Sequence, residues 1–287
     1  IDGHIARASY GKSIARPDLN GLRPITSVSD YRPGTATASS GNPALNPYMS
    51  DNFDLSYEWY YDEGSYLSAA FFYKQISDYI VTDVESDVIL DVNGNPLLNP
   101  DGRYVPVSLP ANPVPVTSQP GDPVANFDVT RLLNAEEREV QGVELNIQHL
   151  FENGFGLQAN VTFVDSDAEF DSANLGDQAI LIGLSDSANL VGFYETDTFS
   201  VRLAANWRDE FLFATSQLRA TNEPVYTEEY LQWDLSTSYN IDDNYTVSFE
   251  ILNILGEDIK QHGRFEEQFL YENTQSARYT VGFRAEF

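Results

Sequence analysis

Cysteine is absent from the 287 residues, and methionine occurs once. The first absence excludes disulfides, thiolate zinc sites, iron–sulfur clusters and cysteine nucleophiles together. Histidine is scarce: His4, His149 and His262 lie far apart, with no HxH or HxxxH spacing, so no metal ligand set is read from them. Cations are few, 16 Lys+Arg against 44 Asp+Glu, for a net charge of −28. A phosphate backbone would be repelled, which excludes nucleic acid as a partner. No apolar run approaches the roughly 20 residues of a membrane helix. The most apolar stretch, Tyr66 to Tyr73, is far shorter. A helical membrane protein is thereby excluded; a β-barrel is not, because its alternating strands score poorly on hydropathy.

Catalytic signatures are also missing. There is no GxSxG, no P-loop and no GxGxxG leading into a helix. The acidic doublets Glu136-Glu137, Glu228-Glu229 and Glu266-Glu267 make no carboxylate dyad by themselves, since strand neighbours point to opposite faces. Asp91-Val92-Asn93-Gly94-Asn95 is faintly like a calcium loop. Its glycine is misplaced, however, and Gly102 stands where a bidentate Glu is required. A turn is the better reading, within a hairpin of Val88 to Val92 and Leu97 to Val107 that has Asn99-Pro100-Asp101-Gly102 as a second turn. No cofactor and no metal are expected, and the chain is read as a non-enzyme. It opens at Ile1 with no signal-peptide pattern, so the expectation is a processed, truncated or partial chain.

What is abundant is aromatic: 17 Tyr, 17 Phe and 3 Trp. These fall on strands of period two. At the C-terminus Tyr279, Val281, Phe283, Ala285 and Phe287 alternate with Arg278, Thr280, Gly282, Arg284 and Glu286. The same alternation marks strands from Phe53, Val143, Phe155, Phe199, Leu231 and Tyr245. Three more, His4 to Ile14, Ser65 to Val81 and Ala188 to Glu195, have apolar residues on both faces, giving about ten strands in all. The predicted fold is all-β, an antiparallel up-and-down meander.

Connection length carries the second signal. Tight turns at Asp62-Glu63-Gly64, Glu152-Asn153-Gly154, Thr196-Asp197 and Asp242-Asp243-Asn244 alternate with long segments. An outer-membrane barrel is built this way, with short periplasmic turns and long outer loops. The aromatic faces then meet lipid, with Trp59, Tyr60, Tyr61, Tyr239, Tyr245 and Phe287 at the periplasmic margin and Trp207 and Trp233 toward the other. The polar faces turn to the lumen. There Arg202, Arg208, Arg278 and Arg284 are expected to pair across strands with Asp54, Glu58, Glu144, Asp234, Glu250 and Glu286.

Several stretches, in order, resemble the barrel of TonB-dependent outer-membrane receptors of the kind common in Caulobacter- and Xanthomonas-like proteobacteria. They are Ser9-Tyr10-Gly11-Lys12-Ser13-Ile14-Ala15-Arg16-Pro17-Asp18-Leu19, Gly41-Asn42-Pro43-Ala44-Leu45-Asn46-Pro47, and Asn52 to Tyr60. Phe71 to Ile76, Val140-Gln141-Gly142-Val143-Glu144, Phe249 to Leu255 and Arg278 to Phe287 complete the set. The resemblance covers essentially the whole chain. It implies that residues 1–287 are one incomplete domain, the C-terminal part of a 22-stranded transmembrane barrel, with the plug and first barrel half absent.

It further implies the outer membrane of a Gram-negative cell, with lipid around the barrel and the TonB complex acting through the missing N-terminal region. Phe287, with Phe283, resembles the signal read by the barrel-assembly machinery. The implied function is uptake of a scarce small solute captured by outer loops. The long loop Thr82 to Ala135 holds six prolines between Pro106 and Pro123 and is expected to be extended. Its Arg103, Tyr104, Asn126, Phe127 and Arg131 are the candidate ligand contacts. No strong basic cluster is seen, which leans the ligand toward carbohydrate rather than an anionic siderophore. Two alternatives stay open: a complete ten-stranded barrel enzyme of omptin-like type, and a soluble β-sandwich carbohydrate-binding module.

Overall fold

The computed structural model describes residues 2–30, 36–91, 93–98, 122–135, 137–171, 173–174, 178, 180–215, 217 and 223–286. Arg103, Tyr104, Glu136, Phe287 and most of the proline-rich stretch lie outside these. The strands in chain order begin with β1 (His4–Ala15), β2 (Thr26–Asp30), β3 (Thr37–Ser40), β4 (Tyr48–Asp62), β5 (Ser65–Ser77) and β6 (Ile80–Asp87). Next come β7 (Phe127–Asn134), β8 (Arg138–Leu150), β9 (Phe155–Ser166), β10 (Ser187–Glu195), β11 (Phe199–Arg208) and β12 (Phe211–Ala214). The last are β13 (Val225–Thr227), β14 (Tyr230–Asn240), β15 (Tyr245–Leu252), β16 (Ile259–His262), β17 (Phe269–Asn273) and β18 (Arg278–Ala285). The chain divides into two compact units: Ile1–Ser13, Ser50–Gln75 and Arg138–Phe287 form one, Ile14–Met49 and Ile76–Glu137 the other.

The first unit carries a ten-stranded sheet in the order β1-β4-β5-β8-β9-β10-β11-β14-β15-β18, a meander of the expected strand number. Among the described residues its margins, β1 and β18, are not paired with each other. Tight turns join β4 to β5, β8 to β9, β10 to β11 and β14 to β15, and long connections join the rest. Gly64 and Gly154 sit in two of those turns with φ of 69° and 88°, a region costly for residues with a Cβ. The strand expected from Ser65 to Val81 ends earlier. Asp78 has φ 56°, and the turn there separates β5 from β6.

Register aligns apolar and aromatic residues of β11, β14, β15 and β18 on one face. Leu203, Leu235, Ile251 and Tyr279 lie in one row, and Phe199, Tyr239, Val247 and Phe283 in another. This face is exposed: Val281 is 75% accessible and Phe283 67%. A sandwich module would bury such residues between two sheets, so the sandwich reading is set aside. Aromatic contacts gather at the tight-turn margin, where His149 stands between Tyr61 and Phe151, Phe155 meets Tyr194, and Tyr245 stacks on Phe283.

The opposite face is polar and amide-rich. Asn146, Asn160, Asn189, Asn206 and Gln232 form one register row over five strands. Asn189 donates to Asn160 at 2.8 Å, and Gln158 to Gln148 at 2.8 Å. The expected cross-strand ion pairs of the four arginines do not form among the described residues. Arg208 instead donates to Ser185 and the Gly183 carbonyl, and Arg284 pairs with Glu286, two residues on and just past the end of its strand. Neutral amides carry both donor and acceptor and need no counter-charge, so a row of them can satisfy itself in register. Phe193 also lies on this face, its ring over Gly156; a Cβ there would stand 2.1 Å from the ring.

Candidate functional site

The long connections β1–β4 and β5–β8 build the second unit. Its four strands run β2-β3-β7-β6, with β3 and β7 parallel. Ala38, Ala125, Phe127 and Val129 form its core, packed by Ala36, Ile89 and Leu97. Phe127 is fully buried. It is a core residue and is not presented to a ligand, which corrects its reading as a ligand contact. Asn126, its neighbour on the other face, is exposed.

Arg131 is largely used internally. Its guanidinium bonds Glu85 at 3.1 Å and also Asp87. The Arg131 bond holds the Asp87 carboxyl below the usual carboxylate range, helped by the Val88 amide. Asp91 is a turn residue, as expected. It accepts the amides of Asn93 and Asn95 at 2.8 and 2.9 Å, and these bonds, that of Asn95 first, lower its pKa. The hairpin around it is short, with single bridges Leu90–Pro96 and Leu98–Val124, and its expected continuation to Val107 lies outside the described residues.

The Gly41-to-Pro47 stretch is held by its asparagines. The Asn42 side chain donates to the Leu132 carbonyl at 2.9 Å, and its amide to Gly21 at 2.6 Å. Asn46 donates to Asp78, while Asn134 donates to the Asn46 and Asp78 carbonyls. Gly41 has no room for a side chain: a Cβ would fall 2.1 Å from the Arg23 carbonyl. This lacing shapes a pocket of about 260 Å³. Ser27, Ser39, Ser40, Thr130 and Asn20 supply neutral donors and acceptors, and Arg23 and Arg131 are the only cations among the described residues of its wall. Arg23 is exposed, and its guanidinium has no partner among the described residues. Thr26 donates to Ser40 at 3.0 Å. Hydroxyls and amides of this kind match the alternating donors and acceptors of a polyhydroxylated ligand. No nucleophile–base pair lies among the described residues of this wall. Sequence reasoning found Arg131 but missed Arg23 and the hydroxyls, which carry no motif.

The connections β11–β14 and β15–β18 build a second small sheet, β12-β13-β16-β17, in the first unit. His262 is its buried centre, with a 5% exposed side chain. Nε2 lies 2.9 Å from a Glu210 carboxylate oxygen and Nδ1 2.8 Å from the Gly263 carbonyl. Tyr226 stacks on the ring at 5.2 Å. Arg264, also buried, pairs with Glu223 at 3.3 Å and lies over Phe170. Among the described residues no group of three or more His, Asp or Glu side chains could hold a metal ion.

A family model described as "TonB dependent receptor-like, beta-barrel" matches residues 1–254. The chain belongs to this family. The sheet of this TonB-dependent receptor barrel continues past the matched region, since β18 pairs with β15 over eight residue pairs. Two similar solved structures are the ferric enterobactin receptor PfeA of Pseudomonas aeruginosa, in a mutant form, and the siderophore receptor PirA of Acinetobacter baumannii. The first has 16% identity and a TM-score of 0.68, covering 100% of this chain and 38% of that one. The second has 14% identity and a TM-score of 0.65, covering 100% and 39%. At these identities the likeness speaks for the fold alone. The chain spans about two fifths of the length of those receptors. No curated protein matches it.

Proposed function

We propose that residues 1–287 form an incomplete barrel domain, the C-terminal part of a Gram-negative outer-membrane TonB-dependent receptor that takes up a scarce polyhydroxylated solute of carbohydrate type. The observation carrying the ligand class is the pocket of the second unit, whose hydroxyls and amides outnumber its cations and whose Arg131 is neutralised by Glu85 and Asp87. An anionic chelate would instead need a cluster of free guanidinium and ammonium groups. The exposed aromatic face supports contact with lipid. Energy coupling through TonB belongs to segments outside this chain, and Phe283 with Phe287 serves the barrel-assembly machinery. In this reading the protein performs no covalent chemistry.

Calorimetric titration of the full-length receptor tests the ligand class. Neutral oligosaccharides are expected to bind, and the Ser39→Ala/Thr130→Val double variant to weaken them about tenfold, equivalent to about 1.4 kcal/mol. Tight binding of a ferric anionic siderophore with no binding of any neutral saccharide would overturn it.

A further inference from the structure

The pocket of the second unit holds one cation without a counter-charge. In its wall Ser27, Ser39 and Thr130 stand opposite one another on β2, β3 and β7, so three hydroxyls lie in a single register row. Ser27 and Ser39 are exposed and Thr130 is half-buried. Arg23 belongs to the same wall. Its backbone is fixed: the amide donates to the Asn20 carbonyl at 3.3 Å, the carbonyl accepts the Ile25 amide at 2.8 Å, and Pro24 follows with a locked φ. The residue is nevertheless exposed, and its guanidinium has no partner among the described residues. Arg131 is the other cation, and Glu85 and Asp87 neutralise it. No Asp or Glu stands among the described residues of the wall. A chain of net charge −28 thus keeps one free positive charge beside a row of hydroxyls.

We propose that this pocket takes a saccharide bearing a single carboxylate, one uronic acid unit on an otherwise neutral oligosaccharide, and that Arg23 is the residue that selects it. The inference rests on the saccharide reading of the same pocket. Charge argues for one anionic group, since one guanidinium is free and the other is taken. A wholly neutral saccharide would desolvate Arg23 without compensating it, which costs binding free energy. Geometry argues for a carboxylate. Its two coplanar oxygens fit the two parallel N–H bonds of one guanidinium. A sulfate or phosphate ester leaves a third oxygen, for which the described wall has no second free cation. The rest of the chain argues against a polyanion. Its net charge of −28 repels a polyuronate at long range, whereas one carboxylate in direct contact with Arg23 is held at short range. The hydroxyl row is left for the hydroxyls of the neighbouring sugar units.

Calorimetric titration of the full-length receptor with matched saccharides tests this. The probes are xylo-, cello- and galacto-oligosaccharides, each in four forms: neutral, with one terminal glucuronic acid, with that acid as its methyl ester, and with one sulfate ester. In the series that binds, the uronate is expected to bind about fivefold more tightly than its neutral, methyl-ester and sulfate counterparts. Arg23→Gln should bring the ratio of uronate to neutral affinity within about twofold of one. Arg23→Lys, which keeps the charge without the fork, should retain part of the preference. Heat-modifiable migration on gels reports folding of every variant. Equal affinity for the uronate and its methyl ester, tighter binding of the sulfate ester, or a folded Arg23→Gln variant that keeps the wild-type ratio or binds no saccharide at all overturns the proposal and leaves the saccharide reading standing. A wild-type receptor that binds no member of any series overturns that reading as well.

Discussion

The small sheet β12-β13-β16-β17 should loosen as pH rises, and the Glu210–His262 pair is the reason. Both ring nitrogens of His262 face acceptors, so only the imidazolium can donate to both. Burial pulls its pKa down. The bonds to Glu210 and the Gly263 carbonyl, with the charges of Glu210 and Glu228, outweigh burial and leave it above the usual histidine value. The buried cation Arg264 is two residues away, held by Glu223, and Tyr226 covers the ring. A folded-state pKa above the unfolded value means the pair stabilises fully below about pH 6.5 and is lost as pH climbs through the raised value. A charge-assisted hydrogen bond contributes about 1.5–3 kcal/mol when desolvated. The Glu210 side chain is 44% exposed, and solvent screening brings this to about 1 kcal/mol. That is about fivefold in the local opening equilibrium.

Hydrogen exchange on the full-length receptor, corrected for intrinsic rates, reads this directly. Peptides covering Val225–Thr227 and Ile259–His262 should lose about fivefold protection between about pH 5.5 and 8.5. The Glu210→Gln variant should flatten that slope, with β6 and β7 serving as an internal control. An identical slope in the wild type and Glu210→Gln would refute the coupling.

Two further outcomes follow from packing. Phe127→Ala empties the core of the second unit at a cost of about 3–5 kcal/mol, and limited proteolysis should then cut within residues 14–49 and 76–137 while the heat-modifiable barrel persists. Gly156→Leu drives a side chain into the Phe193 ring, so the yield of folded receptor should fall; Gly156→Leu/Phe193→Ala should restore it, and failure of that rescue would locate the strain elsewhere.

Seven of the ten long strands were legible because an apolar face alternates with a polar one, a period that no loop imitates; β1, β5 and β10, with apolar residues on both faces, were legible mainly as apolar stretches of strand length. The short strands β2 and β3 were not. Their sequences, TSVSD and TASS, carry little apolar signal, and asparagines near or far in the chain help to hold their surroundings, as Asn42 does through Leu132. Phe127 was misread for a different reason. Ala125, Phe127 and Val129 alternate with Asn126, Asp128 and Thr130, a strand signal in plain view inside the long proline-rich connection. Of the candidate site, Arg131 was named but its use as an internal clamp was not visible. Its partners Glu85 and Asp87 stand 46 and 44 residues upstream. The Glu210–His262 bond joins residues 52 positions apart, and no local spacing announces it.

The unpaired margins of the large sheet set a condition on how this chain can exist. Among the described residues, strands β1 and β18 are each paired on one side only, so each presents an outward row of backbone donors and acceptors. In hydrocarbon every such group left unbonded costs several kcal/mol. Two rows together exceed the whole stability of an ordinary domain, roughly 5–15 kcal/mol. Membrane insertion and edge closure therefore cannot be successive events for this sheet. Whatever strand completes each margin must arrive with it, so the rate at which β1 and β18 find their neighbours sets the competition between a working receptor and an aggregate.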